Sequence, residues 1–175
     1  MPTPTEWMKS EYDDLVKKGF DWKPPVIGGP STGRAIIDDK ERIMLCANNY
    51  LSMSNHPKVK QAAIDAVKSH GAGSGSVRPI AGNMDIHNEL EDTIARFKNR
   101  EAALYYQTGF AVNSGLIPQL AGKNDSIISD QLNHGSIIDG VRLSGVKKEN
   151  RTIYAHNDMG ELEERLKEAT KKSEK

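Results

Sequence analysis

The 175-residue chain carries 24 Lys+Arg and 24 Asp+Glu, a formal net charge of zero, so bulk electrostatics gives no reason to propose nucleic acid or an anionic membrane as partner. Its 37% hydrophobic and 27% charged residues fit one globular domain with a real core, and no apolar run approaches the ~20 residues that span a bilayer. The single Cys46 excludes an internal disulfide and fits a reducing cytosol, so a cytoplasmic protein is expected; Met1–Trp7 lacks the basic start and apolar run of a signal peptide.

Thr5 to Lys18 reads as a polar helix, with Thr5 as N-cap and Gly19 just past its end. Such an arm either packs on another part of the molecule or on another subunit, or frays. Pro24 to Gly33 reads as an extended linker. The apolar runs Arg34–Ile37 and Arg42–Cys46, separated by Asp38-Asp39-Lys40-Glu41, predict a hairpin. Asn55-His56-Pro57 opens a helix to about Ser69, with Asn55 as N-cap and Pro57 near the first turn. Gly71 to Gly82 is a glycine-rich loop without the Lys-Ser/Thr ending of a phosphate loop and with no strand before it. Its spacing leaves a flexible loop and a ligand loop both open, and Arg78 is its only charge. Asp85 to Lys98 is the next helix, with Ile86, Leu90, Ile94 and Phe97 on one face. His87 and Glu91 lie one turn apart, but no third ligand is in sight, so a capping histidine is expected rather than a metal site.

Strand Ala103–Gln107, helix Phe110–Ala121, strand Ser126–Ser129, helix Ser136–Leu143 and strand Thr152–Ala155 follow. Asn157 or Asp158 then caps an amphipathic helix with Leu162, Leu166 and Ala169 on one face. This alternation predicts an α/β fold with a mainly parallel sheet. Ligands of such sheets bind at the carboxyl ends of the strands. Thr108-Gly109-Phe110 sits at one such end. There a helix start offers unpaired N–H groups and partial positive charge, glycine allows close approach, and threonine adds a hydroxyl. His134 holds the corresponding place after the next strand. Residue spacing leaves it open between a base, a ring stacked on a flat ligand and a structural histidine; a metal ligand is disfavoured, because no Cys or His partner lies at ligand spacing.

Several segments resemble one family. Cys46-Ala47-Asn48-Asn49-Tyr50-Leu51 is similar to the Asn-Asn/Asp-Tyr-Leu-Gly segment of the α-oxoamine synthases, with Ser52 in the glycine's place. Gly71 to Gly82 with His87-Asn88-Glu89-Leu90-Glu91 resembles their glycine-rich loop and helix. Within the family, Ser76-Val77-Arg78, Leu132-Asn133-His134 and Ser136 to Leu143 look closest to the glycine C-acetyltransferase group. The resemblance implies a pyridoxal-phosphate enzyme of the aspartate-aminotransferase-like fold. Residues 1–45 would be an N-terminal arm and small-domain segment, and 46–175 the first part of the cofactor-binding large domain. It implies that Thr108, Gly109 and Phe110 hold the phosphate of pyridoxal 5'-phosphate. His134 would stack on its ring and Asn48 would meet the amino-acid carboxylate. Gly135 stands where the family usually has alanine.

The implied reaction joins glycine and acetyl-CoA to 2-amino-3-oxobutyrate, a step of threonine and glycine metabolism. A lysine removes an α-proton, the cofactor ring holds the electrons, and coenzyme A leaves. The family also implies a homodimer. No lysine of this chain sits in the family's lysine motif. The last helix is followed by no strand, as a parallel sheet requires. The chain is therefore expected to be the front part of a longer enzyme, with the Schiff-base lysine beyond Lys175 and no activity by itself. The alternatives are a sibling synthase making 8-amino-7-oxononanoate, 5-aminolevulinate or a sphingoid base, and a non-catalytic dimerisation or binding module.

Overall fold

The computed structural model describes Thr3 and residues 5–172. Met1, Pro2, Pro4 and Ser173 to Lys175 lie outside the described residues, and the reading of the chain end at Lys175 lies there with them. The chain divides into two compact units, Met1–Gly82 and Asn83–Lys175.

The first unit opens with helix α1 (Glu6–Lys17). Its end is a Schellman motif: Gly19, at φ 75°, donates its N–H to Val16, and Phe20 donates to Leu15. The expected N-cap Thr5 makes no side-chain cap bond. Strands β1 (Arg34–Ile37) and β2 (Lys40–Ile43) form the expected antiparallel hairpin, with Arg34 opposite Ile43 and Ile37 opposite Lys40. The second strand starts two residues earlier than the apolar pattern predicts. Asp38 and Asp39 both take positive φ (47° and 60°), so two residues suffice to reverse the chain and Lys40 and Glu41 join the ladder.

Helix α2 (Pro57–His70) has Pro57 in its first turn as expected, but its N-cap is His56 and not Asn55. His56 Nδ1 accepts the Lys58 N–H at 3.2 Å, the bond an asparagine oxygen would otherwise make. The glycine-rich loop ends in a tight turn, Arg78–Gly82. The N–H groups of Ile80, Ala81 and Gly82 all converge on the Val77 carbonyl, at 3.1, 3.3 and 3.0 Å. This part of the loop is a hydrogen-bonded element.

The second unit contains helix α3 (Asp85–Phe97), helix α4 (Gly109–Leu120), strand β3 (Ile127–Asp130), helix α5 (Gly135–Leu143), strand β4 (Arg151–Tyr154) and helix α6 (Met159–Thr170). His87 and Glu91 have structural employment: His87 Nδ1 accepts the Met84 N–H at 3.1 Å, and Glu91 accepts the Tyr105 N–H at 2.9 Å. Strands β3 and β4 are parallel, Ile127 opposite Arg151 and Asp130 opposite Tyr154, joined through α5. This is the predicted β-α-β arrangement. The predicted strand at 103–107 is not formed: among the described residues no strand pairs with it, and extended propensity without a ladder partner does not make a strand. Asp158 caps α6, its carboxylate accepting the Glu161 N–H at 2.9 Å.

Helices α4 and α5 pack directly on each other. A Cβ on Gly140 would lie 2.3 Å from the Asn113 carbonyl oxygen, so glycine at this position sets how closely the two helices approach. The Arg151 guanidinium closes the end of α5, donating to the carbonyls of Arg142, Ser144 and Val146. Buried apolar side chains are few; Ala95 and Val146 are the ones in this unit among the described residues, and Val146 is fully buried. Among those residues no helix is long and apolar enough to cross a membrane.

Candidate functional site

The first helical turn of α4 is open in the way the sequence predicts. Thr108 is the N-cap, its hydroxyl oxygen accepting the Ala111 N–H at 3.0 Å. The first main-chain bond of the helix joins the Val112 N–H to the Thr108 carbonyl at 3.1 Å. The N–H groups of Gly109 and Phe110 therefore have no intrahelical acceptor. Beyond its chain neighbours and its own helix backbone, nothing lies within 4 Å of where a Gly109 Cβ would stand, which leaves room for an anion against the backbone. The Thr108 hydroxyl hydrogen is still available to donate, since its oxygen serves the cap.

His134 is the N-cap of α5, and its ring is tied down on one side. Its Nδ1 accepts the Ser136 N–H at 3.1 Å and lies 2.7 Å from the Ser136 hydroxyl oxygen. Ser136 is 3% exposed and also accepts from Asn113 Nδ2 at 2.9 Å. Asn113 is on α4, five residues after Thr108. The structure thus links the start of α4 to the start of α5 through one buried hydroxyl. Sequence reasoning assigned no role to either Asn113 or Ser136. Asn48 belongs to the first unit and is exposed. The neighbouring Asn49 shapes that segment, donating to the Ser31 carbonyl at 2.8 Å and accepting the Ser54 N–H at 3.1 Å.

The loop between β3 and His134 is held by Asp130, a third residue that sequence reasoning left without a role. Its carboxylate accepts from His156 Nδ1 at 2.9 Å, the Leu132 N–H at 2.7 Å and the Asn157 N–H at 3.1 Å. The His156 bond first, then the two backbone donors, hold the Asp130 carboxyl at about 2, below its ordinary 3.8. Asn133 adds a bond to the Ser129 hydroxyl at 2.9 Å. An aspartate at the end of a strand, just before a turn, is the signal that could have found this clamp. Burial pushes the Tyr154 phenol up, and nearby Asp130 acts in the same direction.

A group held below its unfolded value stabilises the fold above that value and loses this contribution as pH falls toward the folded one. The second unit is therefore expected to lose stability as pH drops from about 4 to about 2. Comparing acid unfolding of the wild type with Asp130→Asn checks this: the variant should show a flatter pH dependence over that window. Equal slopes would contradict the clamp. Among the described residues, no group of three or more His, Cys, Asp or Glu side chains gathers in a way that could hold a metal ion.

Residues 40–175 match the family model of aminotransferase class I and II. The chain is 48% identical over 163 residues to an 8-amino-7-oxononanoate synthase of Alkaliphilus metalliredigens, covering 93% of this chain and 40% of that protein. It is 49% identical over 167 residues to the synthase of the same name from Thermoanaerobacter pseudethanolicus, covering 95% and 42%. Among solved structures it superposes on a lysine-to-alanine variant of a serine palmitoyltransferase from S. paucimobilis with a bound pyridoxal phosphate–myriocin aldimine, with a TM-score of 0.81 at 28% identity. That match covers 93% of this chain and 41% of the other. The Sphingomonas wittichii serine palmitoyltransferase matches with a TM-score of 0.78 at 30% identity, over 94% and 41%. The chain spans 40–42% of the length of these curated relatives. With its α/β fold, its parallel β3–β4 pair and these matches, the chain belongs to the aminotransferase class I and II family and is like the α-oxoamine synthases within it.

Proposed function

We propose that the full-length protein carrying this chain is a pyridoxal-phosphate-dependent α-oxoamine synthase that joins an amino acid to an acyl-CoA thioester, of the kind that makes 8-amino-7-oxononanoate. The names of the relatives favour this product over the 2-amino-3-oxobutyrate expected from the sequence segments. The product's own carbon skeleton identifies the substrates. A seven-carbon acyl group ending in carboxylate supplies the chain up to the ketone, and alanine, after loss of its carboxyl carbon, supplies the last two carbons and the amine.

The observation that carries the site is the pairing of an open helix start at Thr108-Gly109-Phe110 with a capped, oriented histidine at His134. The residues fit the cofactor. Unpaired N–H groups and the open space at Gly109 suit its phosphate, and the exposed face of the His134 ring suits its pyridine. When bound, pyridoxal phosphate supplies an electron sink for the amino-acid α-carbon. In this reading Thr108, Gly109 and Phe110 bind the phosphate and fix its register. His134 stacks on the ring and orients it. Residues 1–45 form an arm and small-domain segment, residues 46–175 the first part of the large domain, and two copies pair as a homodimer. The lysine that removes the α-proton is supplied by sequence outside these residues.

The glycine C-acetyltransferase reading stands second, carried by the segments Ser76-Val77-Arg78 and Ser136 to Leu143. One assay separates the two: full-length protein with alanine or glycine against acetyl-, succinyl- and pimeloyl-CoA. Preference for alanine with pimeloyl-CoA is the expected result. Preference for glycine with acetyl-CoA would move the assignment to the second reading, and turnover with none of these pairs would defeat both.

A further inference from the structure

We propose that Asn113 and Ser136 are positioning residues that hold the His134 ring in its Nε2–H form, an inference that rests on reading His134 as a wall of the cofactor pocket. The direction of each hydrogen bond follows from chemistry. A backbone N–H only donates, so the Ser136 N–H, 3.1 Å from His134 Nδ1, requires that nitrogen to be an acceptor. A neutral imidazole with a bare Nδ1 carries its hydrogen on Nε2. The Ser136 hydroxyl, 2.7 Å from the same Nδ1, then donates to it as well. This leaves the hydroxyl oxygen as acceptor for the Asn113 amide at 2.9 Å. Donation runs one way along the chain, from Asn113 through Ser136 to His134.

Ser136 is 3% exposed, so water does not compete for its hydroxyl. Gly140 brings the backbone of α5 against the Asn113 carbonyl, and this close approach keeps the amide within reach of the serine. The helix whose first turn offers N–H groups to a phosphate therefore also orients the ring expected to lie on the pyridine. Nδ1 is committed to its own helix, so the ring presents its face and an Nε2–H to a ligand. His134 is thereby a stacking and donor group, and Nδ1 is withdrawn from proton transfer.

The test uses full-length protein with and without pyridoxal 5'-phosphate. Ring nitrogens are read by 15N NMR of histidine side chains, with the His134 signal assigned by its loss in His134→Asn. In the cofactor-free wild type, His134 should show a single Nε2–H state. Ser136→Ala removes the hydroxyl. Asn113→Asp keeps size and shape but makes the residue an acceptor, which turns the Ser136 hydroxyl away from Nδ1. In both variants Nδ1 keeps only the Ser136 N–H bond at 3.1 Å and loses the shorter hydroxyl bond, so a minor Nδ1–H population should appear beside the Nε2–H state, and affinity for pyridoxal phosphate should fall roughly three- to tenfold, as loss of one hydrogen bond predicts. An Nδ1–H ring in the wild type, or an Asn113→Asp ring identical to wild type, would overturn the proposal and leave only packing. A wild type that binds no pyridoxal phosphate defeats the pocket reading instead. The ring state of the cofactor-free protein is measured independently of that result and decides the relay in either case.

Discussion

Replacing Gly82 with alanine is expected to break the end of the glycine-rich loop, at a cost of about 3 kcal/mol to the first unit. The demand here is for space. A Cβ at this position would lie 1.9 Å from the Ser76 carbonyl oxygen, 2.5 Å from the Ser76 carbonyl carbon and 2.9 Å from the Val77 carbonyl carbon. All three neighbours are backbone, so no rotamer change relieves the overlap. The opposing effect, reduced freedom of the unfolded chain, is worth only about 0.4–1 kcal/mol. Steric overlap therefore decides the sign. Relief requires Ser76-Val77 to move, and that carries away the Val77 carbonyl on which the Ile80, Ala81 and Gly82 amides converge. Hydrogen exchange reads this locally: the three amides should lose protection in the variant, while those in the middle of α2 keep theirs. Wild-type protection at all three would contradict the close packing.

Much of this architecture is legible in sequence because it depends on local rules. Helix periodicity placed α2, α3, α4, α5 and α6 to within a residue or two of where they stand. Gly19 signalled the end of α1, and the loop Asp38 to Glu41 signalled the hairpin. The open turn at Thr108-Gly109-Phe110 was legible for the same reason, since a helix start after an extended segment leaves N–H groups unpaired whatever surrounds it. The misreadings share a different cause. Propensity favours Asn55 as a cap, but the local geometry gives the bond to His56, whose Nδ1 serves equally well. Residues 103–107 have the composition of a strand, but a strand exists only with a partner, and no local pattern encodes pairing.

The site was half legible. His134 stands out as a histidine in a polar turn, but what orients it does not. Asn113 and Ser136 are 23 residues apart and meet only because two helices cross. In sequence, each is one more small polar residue in a helix. Asp130 gathers donors from Leu132, His156 and Asn157, two of them 26 or more residues away. Such convergence is a property of the folded sheet edge.

Gly140→Ala tests that crossing and is expected to destabilise the second unit and weaken cofactor binding together. The added methyl would sit 2.3 Å from the Asn113 carbonyl oxygen, 2.9 Å from Ile117 Cδ1 and 3.0 Å from the Asn113 carbonyl carbon. The isoleucine can turn away, but the carbonyl is part of α4 and cannot move alone. In an unobstructed helix, alanine gains up to about 1 kcal/mol over glycine. Overpacking against backbone costs about 1–3 kcal/mol, so a net loss of about 1–2 kcal/mol is expected. Gly115, on the facing helix α4, provides the comparison. Its Cβ would meet only Tyr106 Cε1, at an ordinary 3.8 Å, so Gly115→Ala should be neutral or mildly stabilising. Thermal unfolding of the two cofactor-free variants of the full-length protein measures the difference. The link to function follows from geometry. Separating the helices by about 1 Å would take the 2.9 Å bond between Asn113 and Ser136 beyond hydrogen-bonding range. Pyridoxal phosphate affinity should then fall in Gly140→Ala and remain near wild type in Gly115→Ala. If Gly140→Ala unfolds earlier yet binds the cofactor as tightly as wild type, α4 and α5 are a scaffold only. If both properties fall together, the spacing of the two helices is what sets the pocket.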